Sequence, residues 1–159
     1  MLFQIVGELT DVSTEPTNTV GATVLENHPT YGPRIWKYVK NGEASTAFAA
    51  GNVVQRKAST TAPGIVTLSG SDAVRNVIAG VAQHAIAAGS YGWVGYQGIF
   101  KVLAGTETID VNVALCASSV AGSGQEASGA SDALRSFGQG LEDAASTALG
   151  LCWIFPQGG

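Results

Sequence analysis

Apolar and polar positions alternate in short runs along most of this chain, the period of half-buried β-strands. Arg34–Lys40 puts Trp36 and Tyr38 on one face and Ile35, Lys37 and Val39 on the other, and Asn41-Gly42 follows as a turn signal. Residues 51–57 and 64–69 form two further β-branched runs, separated by a Ser/Thr/Pro loop at 58–63. Over 71–79 a helix capped by Ser71 or Asp72 competes with a strand, and the β-branched Val74, Val77 and Ile78 favour the strand. Residues 79–104 run through a turn at Ala88, Gly89 and Ser90 into an aromatic strand carrying Tyr91, Trp93, Tyr96 and Phe100. Glycines at 92, 95 and 98 punctuate that strand, so it must bend or admit another backbone closely. Over 106–117, Ile109, Val111, Val113 and Leu115 alternate with smaller or polar residues and predict one long strand. Residues 118–136 are small and polar and predict a loop. Residues 149–155 are apolar on both faces, which predicts a central or covered strand.

The pattern weakens at the N-terminus. Phe3, Ile5 and Leu9 suggest a short strand, but Thr, Asn, Pro and Gly then dominate up to Pro33. The expected organisation is an extended N-terminal arm at 1–33 and a β-barrel or β-sandwich domain at 34–159, mainly β with little helix. An arm has no core of its own, so Phe3, Ile5, Leu9, Val20, Leu25 and Tyr31 are candidate interface residues. Laying 80–96 on 140–156 pairs Gly80 with Gly140 and Trp93 with Trp153. Such matches also arise by chance in a Gly/Ala-rich chain. A true repeat would place two similar hairpins face to face. In a β-domain of this size Trp36, Trp93 and Trp153 are expected as core anchors.

Composition narrows the functional classes. The 159 residues suit one domain, and only 13% of them are charged, which fits a surface largely covered by neighbours as well as a Gly/Ala-rich solvated one. A net charge of −4 without any Lys/Arg cluster argues against nucleic-acid partners. Apolar runs are too short to span a membrane, so no membrane association is expected. Cys116 and Cys152 sit in apolar runs and are expected as buried thiols, unless their strands are neighbours in an oxidising compartment.

Catalytic chemistry has no visible residues. His28 and His84 lack a second ligand at metal-binding spacing, and Gly122-Ser123-Gly124 is neither a nucleophile elbow nor a phosphate loop. We expect no catalytic, cofactor-binding or metal residues, no cofactor and no enzyme activity. The alternative binding chemistry is a carbohydrate- or receptor-binding β-module of a virion fibre or adhesin. It would stack ligands on Trp36, Tyr91 and Tyr96.

The run AAGSYGWV at 87–94, within Gly80–Gly98, is preceded by Trp36–Tyr38 and Ala50–Val54 and followed by a second half over Val120–Ile154. This pattern resembles the small head proteins of tailed bacteriophages, the capsid decoration or cement proteins, over residues 34–155. The resemblance implies a small β-barrel or β-sandwich with an extended N-terminal arm. It implies a virion structural protein that stabilises the outer surface of an icosahedral capsid. Its partners would be the major capsid protein and neighbouring copies of itself, as a trimer at three-fold positions. Its location would be the capsid exterior, after assembly in the host cytoplasm.

Overall fold

The computed structural model of the chain describes residues 7–62, 64–70, 73 and 77–155. The protein is mainly β. Its strands are β1 (Thr23–His28), β2 (Gly32–Asn41), β3 (Val53–Arg56), β4 (Ile65–Leu68), β5 (Ile78–Ala82), β6 (Tyr91–Leu103), β7 (Ala114–Ala117), β8 (Gly124–Glu126), β9 (Gly138–Gly140) and β10 (Leu149–Ile154). One helical turn, α1 (Ala130–Ala133), lies among the described residues.

Strand pairing closes on itself twice. Antiparallel pairs run from β2 to β6, β6 to β5, β5 to β3 and β3 to β4, and β4 returns to β2 in parallel through Lys40–Ile65 and Asn41–Val66. The second half of β6 starts the same circuit again. It pairs with β10, β10 with β9, β9 with β7 and β7 with β8, and Gly124 of β8 meets Ala104 in a parallel bridge. Two five-strand rings thus share β6, and closure leaves few free sheet edges.

The rings repeat one another in detail. Phe48 and Ile86 exchange backbone hydrogen bonds of 2.9 and 3.1 Å, as Ile109 and Ala144 do at 2.9 and 2.7 Å. Each of these residues opens a tight turn with a left-handed residue before the next strand: Gly51 (φ 86°), Gly89 (76°), Asn112 (66°) and Thr147 (62°). Gly92 and Gly150 each face the residue that opens their turn, Ile86 and Ala144, where a Cβ would collide at 2.9 and 2.7 Å. The two rings are alike in this detail, at a register that differs by two positions from the sequence match of 80–96 with 140–156. Gly150 answers to Gly92, so Trp153 answers to Gly95 and Trp93 to Leu151. Trp93 and Trp153, matched in sequence, therefore do not occupy equivalent positions.

β6 changes partners at its glycines. Trp36 pairs with Gly95 and Ile35 with Gln97, which leaves Tyr96 as a bulge. Gly98 has φ 116°, and a Cβ there would lie 3.0 Å from the Pro33 carbonyl. A Cβ on Gly95 would meet the Phe100 ring at 2.6 Å. The bend expected from glycine spacing sits where the strand passes from one ring to the next.

Each ring has a core. Val39, Phe48, Val54, Val66, Ala79, Ala82, Ile86 and Val94 fill the first. Phe100, Val102, Ile109, Leu115, Phe137, Cys152 and Ile154 belong to the second, whose cluster continues to Trp36, Tyr38 and Trp93 on the outer face of the first. Both cysteines are buried and free, and burial pushes the Cys152 thiol up to about 12.

Three expectations are corrected. Residues 106–117 are not one strand: Ile109 makes an isolated bridge, Asn112 turns the chain, Val111 is exposed and β7 begins at Ala114. The period-2 pattern there reflects a buried bridge followed by a turn. Residues 118–136 hold β8 and α1 rather than a plain loop. β10 is covered on one face only, through Gly150, Cys152 and Ile154. Of residues 71–79, Ser71, Asp72 and Val74 lie outside the described residues, and β5 begins at Ile78.

Candidate functional site

The described N-terminal segment, from residue 7, lies on its own domain. β1 pairs along β2 from Thr23–Lys37 to His28–Gly32, so position 34 falls inside a paired strand. Ahead of β1, Ser13 bridges Tyr91, and the Thr17 amide donates to the Tyr38 hydroxyl at 3.2 Å. Half-buried Leu9 and Val20 pack on the core cluster containing Tyr38 and Trp93. Residues 9–22 thereby cover the outer face of the first ring.

A three-sided polar contact holds β1 in place. Glu26 Oε2 accepts from Arg34 Nε at 3.0 Å, Arg34 Nη2 at 2.7 Å and Trp36 Nε1 at 2.7 Å. The Arg34 guanidinium also lies over Phe100, Trp36 and Tyr31, at 4.9, 5.2 and 5.7 Å from the ring centroids. Burial pushes the Glu26 carboxyl upward, but the hydrogen bonds from Trp36 and Arg34 and the charges of Arg34 and His28 outweigh it. The net effect is a lowered pKa, which keeps the carboxylate charged.

Among the described residues, the matching outer face of the second ring is partly exposed. Leu149, Trp153 and Phe155 are 40%, 39% and 37% exposed, and half-buried Leu151 lies between them. Beside them, β6 contributes Leu103 opposite Leu149 and Ile99 opposite Trp153. Lys101, opposite Leu151, is the one charged side chain in that β6 row. Trp153 was expected in the core and is instead on this surface. Its side chain points away from the ring interior that Cys152 and Ile154 fill, and the described N-terminal segment packs on the other ring.

The remaining candidates are scattered. Trp36 and Trp93 are buried in the core. Leu25 is 61% exposed on β1, and Tyr31 stacks on His28 with ring centroids 4.7 Å apart. Phe3 and Ile5 lie outside the described residues. The expected stacking platform is not assembled, since Trp36 is buried and Tyr91 is half-buried against Tyr38. The apolar i, i+2 spacing of the row along β10 is visible in the sequence, but a strand apolar on both faces carries no local signal of which face is covered. His84 is enclosed, and its ring nitrogens have no partner among the described residues; burial lowers its pKa.

No family model and no curated sequence matches the chain. Among solved structures, it is similar to the N base of head fiber gp8.5 of bacteriophage phi29. The TM-score is 0.53 at 15% sequence identity, over 77% of this chain and 94% of that one. At that identity the likeness is one of fold.

Proposed function

We propose that this chain is a virion structural protein that binds the outer surface of an icosahedral phage capsid, as a decoration protein. The observation that carries the reading is the partly exposed apolar row Leu149–Leu151–Trp153 among the described residues, on a fold similar to a phage head fiber base. The first ring covers the equivalent face with its own N-terminal segment, so the second supplies a face of the same design for a partner. A contiguous apolar face on a sparsely charged protein suits repeated docking on a lattice, where many equivalent contacts add. The partner on this reading is the major capsid protein, with neighbouring copies completing a trimer at three-fold positions. A second reading, the base domain of a head fibre, is favoured by what the similar structure is.

Mixing the purified protein with undecorated capsids and measuring copies bound per particle tests the proposal. Saturable occupancy, lost in Trp153→Glu but retained in Leu25→Glu on exposed β1, is the expected result. Absence of binding, or equal occupancy for both variants, overturns the assignment of this face. Deleting residues 1–30 is a poorer test, because β1 belongs to the folded sheet.

A further inference from the structure

The two rings are alike around β6, so what covers the first indicates what the second can take. In the first ring Lys40 lies opposite Tyr91, and in the second Leu103 lies opposite Leu149. The Lys40 and Leu103 amides donate elsewhere, to the carbonyls of Gly64 at 2.8 Å and Gly51 at 2.9 Å. Tyr91 and Leu149 therefore sit in pairs without mutual hydrogen bonds and turn their own N–H and C=O away from that neighbour. Tyr91 exchanges both groups with Ser13, at 2.8 and 3.1 Å. At Leu149, among the described residues, neither group takes a partner.

The side chains around this gap form a strip. Leu149, Leu151 and Trp153 stand in one row of β10, beside Ile99 and Leu103 of β6. Lys101, in the place that Tyr38 holds in the first ring, is the one charge of the strip and makes no ion pair among the described residues. In the first ring the covering segment packs Leu9 and Val20 on the core cluster and gives its Thr17 amide to Tyr38. That segment carries Glu8, Asp11 and Glu15, and no Lys or Arg precedes Arg34.

We propose that the second ring holds a peptide segment of the major capsid protein across β10. Two main-chain hydrogen bonds at Leu149 bridge the segment, its apolar side chains lie on Leu151 and Trp153, and an acidic side chain meets Lys101. This mode rests on the reading that this face docks on the capsid, and it specifies how the partner is held. Main-chain bonds at an unpaired edge supply affinity, and the flanking side chains select the sequence. One positive charge in an apolar strip favours a segment of the opposite sign. The N-terminal segment of a second copy is acidic too, but it is engaged on its own first ring through Ser13 and Leu9.

Amide NMR of the full chain, titrated with a synthetic copy of residues 8–17, tests the mode without capsids. Saturable shifts in the millimolar range are expected at Lys101 and Leu149–Trp153. A peptide methylated at the Ser13 nitrogen lacks the bridging donor and should bind about fivefold more weakly. A peptide with Asp11→Asn and Glu15→Gln should bind about threefold more weakly. In the protein, Leu149→Pro removes the N–H at the first residue of a strand, where proline is tolerated, and should bind about fivefold more weakly than Leu149→Ala. The methylated peptide serves if Leu149→Pro fails to fold. No saturation by about 10 mM peptide, shifts centred on Tyr91, or equal binding of the methylated and unmethylated peptides overturns the proposal. Capsid occupancy separates this mode from the docking reading. Occupancy lost in Trp153→Glu but equal in Leu149→Pro and Leu149→Ala keeps the face and overturns the mode. No occupancy by the unaltered protein overturns the capsid protein as the source, while the peptide titration still decides whether Leu149 is a peptide site.

Discussion

Replacing Glu26 tests whether residues before β2 belong to the fold or hang from it as an arm. Glu26→Ala removes the acceptor of three hydrogen bonds and leaves Arg34 and the Trp36 indole N–H without it. An exposed ion pair contributes about 0–1 kcal/mol, whereas breaking a fully buried one costs about 3–5 kcal/mol. The Arg34 and Glu26 side chains are 10% and 27% exposed, which places this pair between the limits, nearer the buried one. Glu26→Ala should therefore destabilise by about 2–3 kcal/mol, tempered because three rings still flank the guanidinium. Glu26→Gln keeps an oxygen acceptor and should cost less, about 1–2 kcal/mol. Urea unfolding followed by tryptophan fluorescence measures both, and an unchanged m-value would show that the native and denatured states are otherwise preserved. The pH dependence gives an independent check. Since the folded carboxyl lies below its ordinary 4.5, the contribution is present above that value and is lost as pH falls through the lower folded value. Glu26→Gln should flatten that acid limb. A cost below about 0.5 kcal/mol for Glu26→Ala would refute the reasoning and make β1 an appendage.

Two further predictions follow from the duplicated rings. Trp93→Ala should cost about 3–5 kcal/mol in the same urea assay, while exposed Trp153→Ala should cost less than about 1 kcal/mol; similar losses would mean that Trp153 is packed after all. Thr147 adopts at φ 62° the left-handed conformation that Gly51 and Gly89 adopt in the matching turns. Thr147→Gly should therefore stabilise by about 0.5–1 kcal/mol, the left-handed penalty less the glycine entropy; a raised unfolding midpoint is the readout, and a lowered one sinks the idea.

Short-range pattern was enough for much of the fold. Alternation from Arg34 to Lys40, β-branched runs at 53–56 and 65–68, and the absence of helical periodicity together determined a mainly β protein. The glycines of β6 announced a bend, because a missing side chain is a local fact with a local consequence. The two rings are alike, but Trp93 and Trp153, which the sequence match pairs, occupy unlike places in them.

Partners far apart in the chain decided the rest. Ring closure depends on the parallel contacts of Asn41 with Val66 and Ala104 with Gly124, each fixed by the positions of other strands rather than by its own residues. The pattern from Ile109 to Leu115 is the same whether it pairs as a strand or turns at Asn112; the Ala144 bridge selects the turn. Trp93 and Trp153 carry similar local signals, yet one is buried and the other exposed. Burial is a property of what packs above a side chain, and the described part of the N-terminal segment packs on the first ring. Likewise Lys37 is one more alternating residue in sequence; only its place in the first ring, where the second has Phe100, buries it.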